Sequence, residues 1–180
     1  MAARRFGVTP QQLGNGVAVS FFLATLAGTA LAVIGMKIAR PRLGAAGTLR
    51  LLAYGNLAFA LLSPLLLVVR SSFDVFCVLG LIVTPLIASV LLMPNALQDV
   101  APAPLRARVV GAMAMVGLLF QVLGPVGIGG LSDAITAIAP NGLAVAIVVL
   151  TVVMGACGTV VLRRTEASYA RLVHTMNTDA

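Results

Sequence analysis

Apolar residues along the chain are gathered into five long runs separated by short polar segments. The runs cover residues 13–36, 49–69, 75–97, 109–131 and 142–162, and the only charged residue within them is Arg50, at the edge of the second. Each run has about 20 residues or slightly more, which is enough for a helix to cross a hydrocarbon core about 30 Å thick. The runs lack the period-2 alternation of barrel strands, so the pattern predicts an all-α membrane protein with five transmembrane helices.

The polar segments between the runs carry nearly all the charge and predict the orientation. Nine of the twelve Lys and Arg residues fall on one side of the membrane: Lys37, Arg40, Arg42, Arg50, Arg106, Arg108, Arg163, Arg164 and Arg171. The other three, Arg4, Arg5 and Arg70, fall on the opposite side. Because basic loops stay in the cytoplasm, we expect an external N-terminus and a cytoplasmic C-terminus in an inner or plasma membrane. The predicted organisation is a bundle over residues 1–162 and a cytoplasmic tail over 163–180.

Composition agrees with this class and excludes others. The chain of 180 residues is 60% hydrophobic and only 9% charged, whereas a soluble domain needs far more charge to cover its core. The net charge of +7 does not indicate nucleic-acid binding, because the basic residues do not cluster with aromatics and Trp is absent. Arg4 and Arg5 could begin a signal peptide, but the polar stretch after them and the length of the first run argue against one.

Small residues recur every four positions along the first run. They are Gly16, Ser20, Ala24, Gly28 and Ala32, and this spacing places them in one stripe on a helix. Such a stripe lets another helix approach closely, which is how helices associate where lipid provides no hydrophobic drive. The fifth run is rich in Val and Ala and reads as lipid-facing or peripheral.

Polar side chains inside the runs are the candidate substrate-binding residues: Gln121, Asn95, Thr84 and Ser20. Gln121 shares a face with Ala114, Gly117 and Gly124, so its amide should point toward protein or a cavity; it has either a helix-to-helix hydrogen bond or a substrate as its partner. Thr84 precedes Pro85, which removes one helical hydrogen bond and predicts a kink of the kind that lines transport sites, although a purely architectural kink fits equally well.

No catalytic or metal-binding constellation is visible, so we expect neither an enzyme nor a bound cofactor. The single histidine, His174, lies in the tail, and no run contains an acidic residue that could relay protons. Cys77 and Cys157 lie at depths that differ by roughly 15–20 Å, which exceeds the reach of a disulfide.

Several stretches together resemble the major facilitator superfamily, in its spinster-like branch. They are Gln98-Asp99-Val100-Ala101-Pro102, Arg106-Ala107-Arg108, the segment from Gly124-Pro125 to Ser132-Asp133, and Arg5-Phe6-Gly7-Val8-Thr9 followed by Gly14. The resemblance implies that the five runs correspond to helices eight to twelve of a twelve-helix transporter, with the first, third and fourth on the cavity side. Lys37 stands about where the family has an acidic residue in a motif that latches helices during gating.

The resemblance implies the C-terminal part of a secondary transporter that moves a small solute by alternating access. Since helices one to seven of that fold are missing, we expect a product of a truncated or split gene, inactive alone, which pairs with a separate N-terminal half or with itself. The expected partners also include the lipid bilayer and a small-molecule substrate of unknown class. No nucleic acid is expected as a partner. The alternative is a small self-assembling membrane protein, either a channel or a helper subunit.

Overall fold

The computed structural model describes residues 9–136 and 142–178, and the chain is helical almost throughout these ranges. The α-helices are α1 (Pro10–Leu43), α2 (Ala46–Leu62), α3 (Ser72–Val100), α4 (Arg106–Thr136) and α5 (Gly142–Thr178). A short 3-10 helix over Ser63–Leu67 extends α2, and another over Ala103–Leu105 precedes α4. Among the described residues, five helical segments are long and apolar enough to cross a membrane, which confirms the predicted all-α membrane class. Arg4 and Arg5, counted in the orientation prediction, lie outside the described residues.

The helices extend beyond the apolar runs that predicted them. α1 has 34 residues and is therefore about 51 Å long, well over the thickness of a hydrocarbon core. α5 has 37 residues and continues from the fifth run through most of the polar tail. The predicted tail, residues 163–180, is thus a helical extension of α5 as far as Thr178.

The ends of α1 follow from local sequence. Thr9 caps the first turn through a reciprocal pair of hydrogen bonds with Gln12, and Pro10 occupies the first helical position, where its missing N–H costs nothing. Pro41 would be expected to break the helix, but it lies within the last turn, and α1 ends instead at Gly44. Gly44 has a φ of 58°, a conformation that only glycine adopts readily, and its N–H donates to the carbonyl of Arg40.

The small-residue stripe of α1 packs against α3, as its spacing predicted. Ser20, Ala24, Gly28 and Ala32 are the buried residues of α1. A Cβ atom added to Gly28 would lie 2.7 Å from the carbonyl oxygen of Thr84 and 2.9 Å from Cβ of Ile87, so the two backbones meet here. α3 runs without a break through Pro85 and Pro94.

α5 packs closely on α2, which corrects the expectation that the fifth run is peripheral. A Cβ added to Gly155 would lie 2.7 Å from Cβ of Ala60 and 2.9 Å from the carbonyl oxygen of Asn56. The hydroxyl of Thr159 donates to the carbonyl of Ala53 across the same interface at 3.3 Å. The other faces of α5 remain exposed, including Val153 and Met154.

The hydrophobic core lies toward the end of the bundle that carries most of the basic residues, where α1 and α3 end and α2 and α4 begin. We call this end the basic end. Two core residues come from the extension of α5: Tyr169 and Val173 are buried against Leu49 and Leu92 of α2 and α3. The tail helix therefore belongs to the bundle and covers its basic end.

α4 has few neighbours. It leaves α3 at the basic end and meets α5 at the far end. None of the residues in its most apolar stretch is buried. Gly117 and Gly124 have open space where a side chain would be, with no atom within 4 Å of an added Cβ. Most of the surface of α4 is therefore exposed in this structure.

Candidate solute groove and charged cluster

A groove between α1 and α3 contains two of the four predicted site residues. It opens at the end opposite the basic end, has a volume of about 660 Å³, and is lined by Ser20 and Thr84 together with Asn15, Phe76 and Gly80. Gly16 forms part of the wall, and the ring of Phe76 lies where a side chain on Gly16 would be. We call it the hydroxyl groove.

The hydroxyl donors in this groove are already used within their own helices. Ser20 Oγ donates to the carbonyl of Gly16 at 2.8 Å, and Thr84 Oγ1 donates to the carbonyl of Gly80 at 2.9 Å. A hydroxyl that donates in this way keeps its lone pairs free as acceptors. The groove therefore offers an apolar surface with acceptor oxygens, which suits a weakly polar solute carrying a hydrogen-bond donor.

The other two predicted residues do not join Ser20 and Thr84. Gln121 is exposed and lines a separate groove between α3 and α4, of about 830 Å³. Asn95 is exposed near the basic end of α3 and lines neither of these grooves. Gln121 and Asn95 thus lie apart from the hydroxyl groove in this structure.

A cluster of charged side chains at the basic end was not among the predicted sites. Asp99, in the last turn of α3, lies 3.6 Å from Nη2 of Arg40 in α1, and it accepts a hydrogen bond of 3.1 Å from the hydroxyl of Tyr169 in α5. Glu166 of α5 pairs with Arg50 of α2 and lies 3.5 Å from Nη1 of Arg163. Through two carboxylates, the cluster connects four helices.

The carboxylates of the cluster are more shielded than their partners. The side chains of Asp99 and Glu166 are 23% and 15% exposed, whereas those of Arg40 and Arg163 are 61% and 41% exposed. Tyr169 lies beyond the fifth apolar run, and burial, followed by the charge of Asp99, raises the pKa of its phenol. Tyr169 therefore remains a neutral hydrogen-bond donor at physiological pH.

The sequence contained one signal for this cluster. Asp99 and Glu166 fall on the same predicted side of the membrane as the nine basic residues, so each acid should have had a cationic partner nearby. Which partner each acid takes depends on the packing of α5 beneath the bundle. The guanidinium of Arg163 also lies over the ring of Tyr54, 4.8 Å from its centroid, which fixes the extension of α5 to α2.

Arg106 caps the neighbouring helix. Its Nε donates to the carbonyl of Ala101, the residue that directly follows α3, at 3.2 Å. Arg106 and Asp133 lie near opposite ends of the continuous helix α4, about 40 Å apart, as expected for two ends of one membrane-crossing segment.

Within residues 9–136 and 142–178, no group of His, Cys, Asp and Glu is arranged to hold a metal ion, and both cysteines are free. No protein-family model matches the chain, and no curated protein or solved structure shows significant similarity to it. The chemistry of the grooves and of the charged cluster therefore carries the functional argument.

Proposed function

We propose that the chain is the C-terminal part of a major-facilitator-type secondary transporter and that the hydroxyl groove forms part of the path of a small solute. The observation that carries this proposal is an asymmetry between the two ends of the α1–α3 pair. At one end a surface groove with acceptor oxygens from Ser20 and Thr84 runs along the pair, where the helices stay in contact at Gly16 and Gly80. At the other end Asp99 and Glu166 tie α1, α2, α3 and α5 together. Alternating access needs a bundle that is open on one side of a site and closed on the other.

The resemblance to the major facilitator superfamily adds to this proposal. In that fold, the helices corresponding to α1, α3 and α4 border the central cavity between two halves. Here α1 and α3 provide the hydroxyl groove, while the most apolar stretch of α4 has no buried residue. The proposal therefore includes a partner for α4, the N-terminal half of that fold, without which these five helices do not transport.

The orientation in the membrane belongs to the same proposal. We place the basic end in the cytoplasm, because nine of the twelve basic residues lie there. The hydroxyl groove then opens toward the outside of an inner or plasma membrane.

Cysteine accessibility tests the groove directly. In a variant in which Cys77 and Cys157 are alanine, Leu23→Cys should react with a membrane-impermeant thiol reagent added outside intact cells, because Leu23 lines the groove and is 58% exposed. Val33→Cys is the matched control on the same helix, because Val33 is 62% exposed yet lies outside the groove. Reaction of Leu23→Cys alone supports an aqueous groove. Equal reaction, or protection of both, contradicts it.

A second candidate function is a small self-assembling membrane protein, and the exposed Gln121 favours it. An amide in hydrocarbon needs a partner, and a second copy of the same chain could supply one. Crosslinking in liposomes, run beside uptake of labelled sugars and amino acids, separates the two functions. Saturable uptake by a strictly monomeric chain would contradict the half-transporter proposal.

A further inference from the structure

Two apolar grooves flank one ridge of α3 on the side that the proposed solute path does not use. The first is the α3–α4 groove of about 830 Å³, and the second is a groove of about 710 Å³ bordered by α2, α3 and α5. Val90, Met93 and Leu97 line both grooves, so these three side chains form the ridge between them.

Both grooves begin at the basic end and run toward the centre of the membrane. The lining of the α2–α3–α5 groove extends along α3 from Val100 to Leu86, which is about 21 Å of helix. The lining of the α3–α4 groove extends along α4 from Val109 to Gln121, about 18 Å. One leaflet contributes about 15 Å of hydrocarbon, half the thickness of the core. Each groove therefore has the direction and the length of an acyl chain.

A cationic group lies near the basic ends of both grooves, although it lines neither of them. The hydrogen bond from Arg106 Nε to the carbonyl of Ala101 holds this guanidinium beside Val100, the last residue lining the α2–α3–α5 groove. Val109, which lines the α3–α4 groove, is three positions further along α4 and so on the same helical face as Arg106. Four N–H donors of the guanidinium remain after that bond, and Arg106 has no ion-pair partner among residues 9–136 and 142–178.

We propose that this surface binds one anionic diacyl phospholipid, with its phosphate on Arg106 and one acyl chain in each groove on either side of the Val90–Met93–Leu97 ridge. A guanidinium fork matches phosphate oxygens in bidentate geometry, and basic pockets between helices at the cytoplasmic surface recognise such headgroups. The grooves supply the apolar contacts that two chains require and that a soluble phosphate does not. The lipid fills space beside α4, and this proposal does not depend on transport.

The headgroup contact is tested by native mass spectrometry of the full chain in detergent with dioleoyl phosphatidylglycerol. We expect one lipid per chain, and Arg106→Gln should weaken binding about tenfold more than Arg108→Gln, the loss expected for a charge-assisted contact. Arg108 is an exposed neighbour two positions along α4 and faces another direction, so it reports general charge attraction. Equal losses in the two variants would overturn the site.

The acyl grooves are tested by a glycine pair that does not touch Arg106. Gly117 lines the α3–α4 groove and Gly111 does not, and neither has an atom within 4 Å of an added Cβ, so a side chain can be introduced at both positions without a clash at Cβ. Gly117→Leu should weaken phosphatidylglycerol binding several-fold, while Gly111→Leu should leave it unchanged. The comparison of these two glycine variants remains a valid test even if Arg106→Gln disturbs the end of α3.

Ligand variation identifies the occupant. Dioleoylglycerol, which lacks the phosphate, and lysophosphatidylglycerol, which lacks one chain, should both bind more weakly than the diacyl phospholipid. Saturation of the site by inorganic phosphate alone, or equal affinity for the one-chain and two-chain lipids, would refute a site that needs both grooves.

Discussion

Replacing Gly28 with alanine should loosen the contact between α1 and α3. An added Cβ would lie 2.7 Å from the carbonyl oxygen of Thr84 and 2.9 Å from Cβ of Ile87, and the first of these is backbone that cannot rotate away. Forcing extra carbon into a packed interface typically costs about 1–3 kcal/mol. Alanine also favours the helix over glycine by about 1 kcal/mol, which partly masks that cost. The effect of Gly28→Ala must therefore be read against an alanine substitution that has no clash.

Gly14 in α1 provides that comparison, because nothing lies within 4 Å of an added Cβ there. When the change in unfolding free energy for Gly14→Ala is subtracted from that for Gly28→Ala, the helix preference of alanine cancels. The difference that remains is the cost of packing the added methyl group at Gly28. We expect Gly28→Ala to be less stable than Gly14→Ala by about 1–3 kcal/mol, measured as the free energy of unfolding in a titration with SDS from mild detergent. Equal stability of the two variants would refute the close approach of α1 and α3 at Gly28.

The remaining predictions concern the charged cluster, the topology and α4. Tyr169→Phe removes the hydroxyl that donates to Asp99 and should lower the unfolding free energy by about 1.5–3 kcal/mol in the same titration, the range for a hydrogen bond to a charged group. An unchanged unfolding free energy would mean that this hydrogen bond does not stabilise the fold. Once Cys77 and Cys157 are replaced by alanine, a cysteine at Arg70 should react with an impermeant maleimide outside intact cells and a cysteine at Ser168 should not; equal reaction contradicts the proposed orientation. Gln121→Leu should reduce crosslinking of α4 to any partner, because the exposed amide loses its hydrogen bonds, and unchanged crosslinking contradicts association through this face.

The helices were predictable because the apolar runs are long and uninterrupted, and because lipid leaves the backbone few alternatives. The helix contact of the first run was predictable too, since a four-residue repeat of small side chains maps directly onto one face. The close packing of α5 on α2 was not, because Gly155 and Gly158 lie in a run whose Val and Ala content is typical of a lipid-facing helix. Two glycines carry too little pattern to reveal which helix will approach them.

The candidate site was less predictable than the fold. The sequence places Ser20 and Thr84 at similar depths on two helices, and their common groove follows once α1 and α3 are packed. Gln121 and Asn95 are also polar residues within apolar runs. Whether they join the hydroxyl groove depends on how α4 and the basic end are arranged, which the sequence does not specify. Pairing of Asp99 with Tyr169 required that the polar tail be helical and fold against the bundle. Nothing in a local window of the sequence fixes that long-range contact.

The strength of the charged cluster determines whether it could take part in switching. Exposed ion pairs such as Arg40–Asp99 contribute about 0–1 kcal/mol each, whereas the hydrogen bond from neutral Tyr169 to the Asp99 carboxylate contributes about 1.5–3 kcal/mol. Separating the helices at the basic end would therefore cost a few kcal/mol in these contacts. That cost is within the range that preferential binding of a solute to one conformation supplies, since a change in population from 1:99 to 99:1 needs about 5.5 kcal/mol. Under the proposed function, the polar contacts of the cluster alone would therefore not prevent opening, whereas a fully buried set of ion pairs would resist it much more strongly. The apolar contacts of Tyr169 and Val173 at the same end add to the cost of opening.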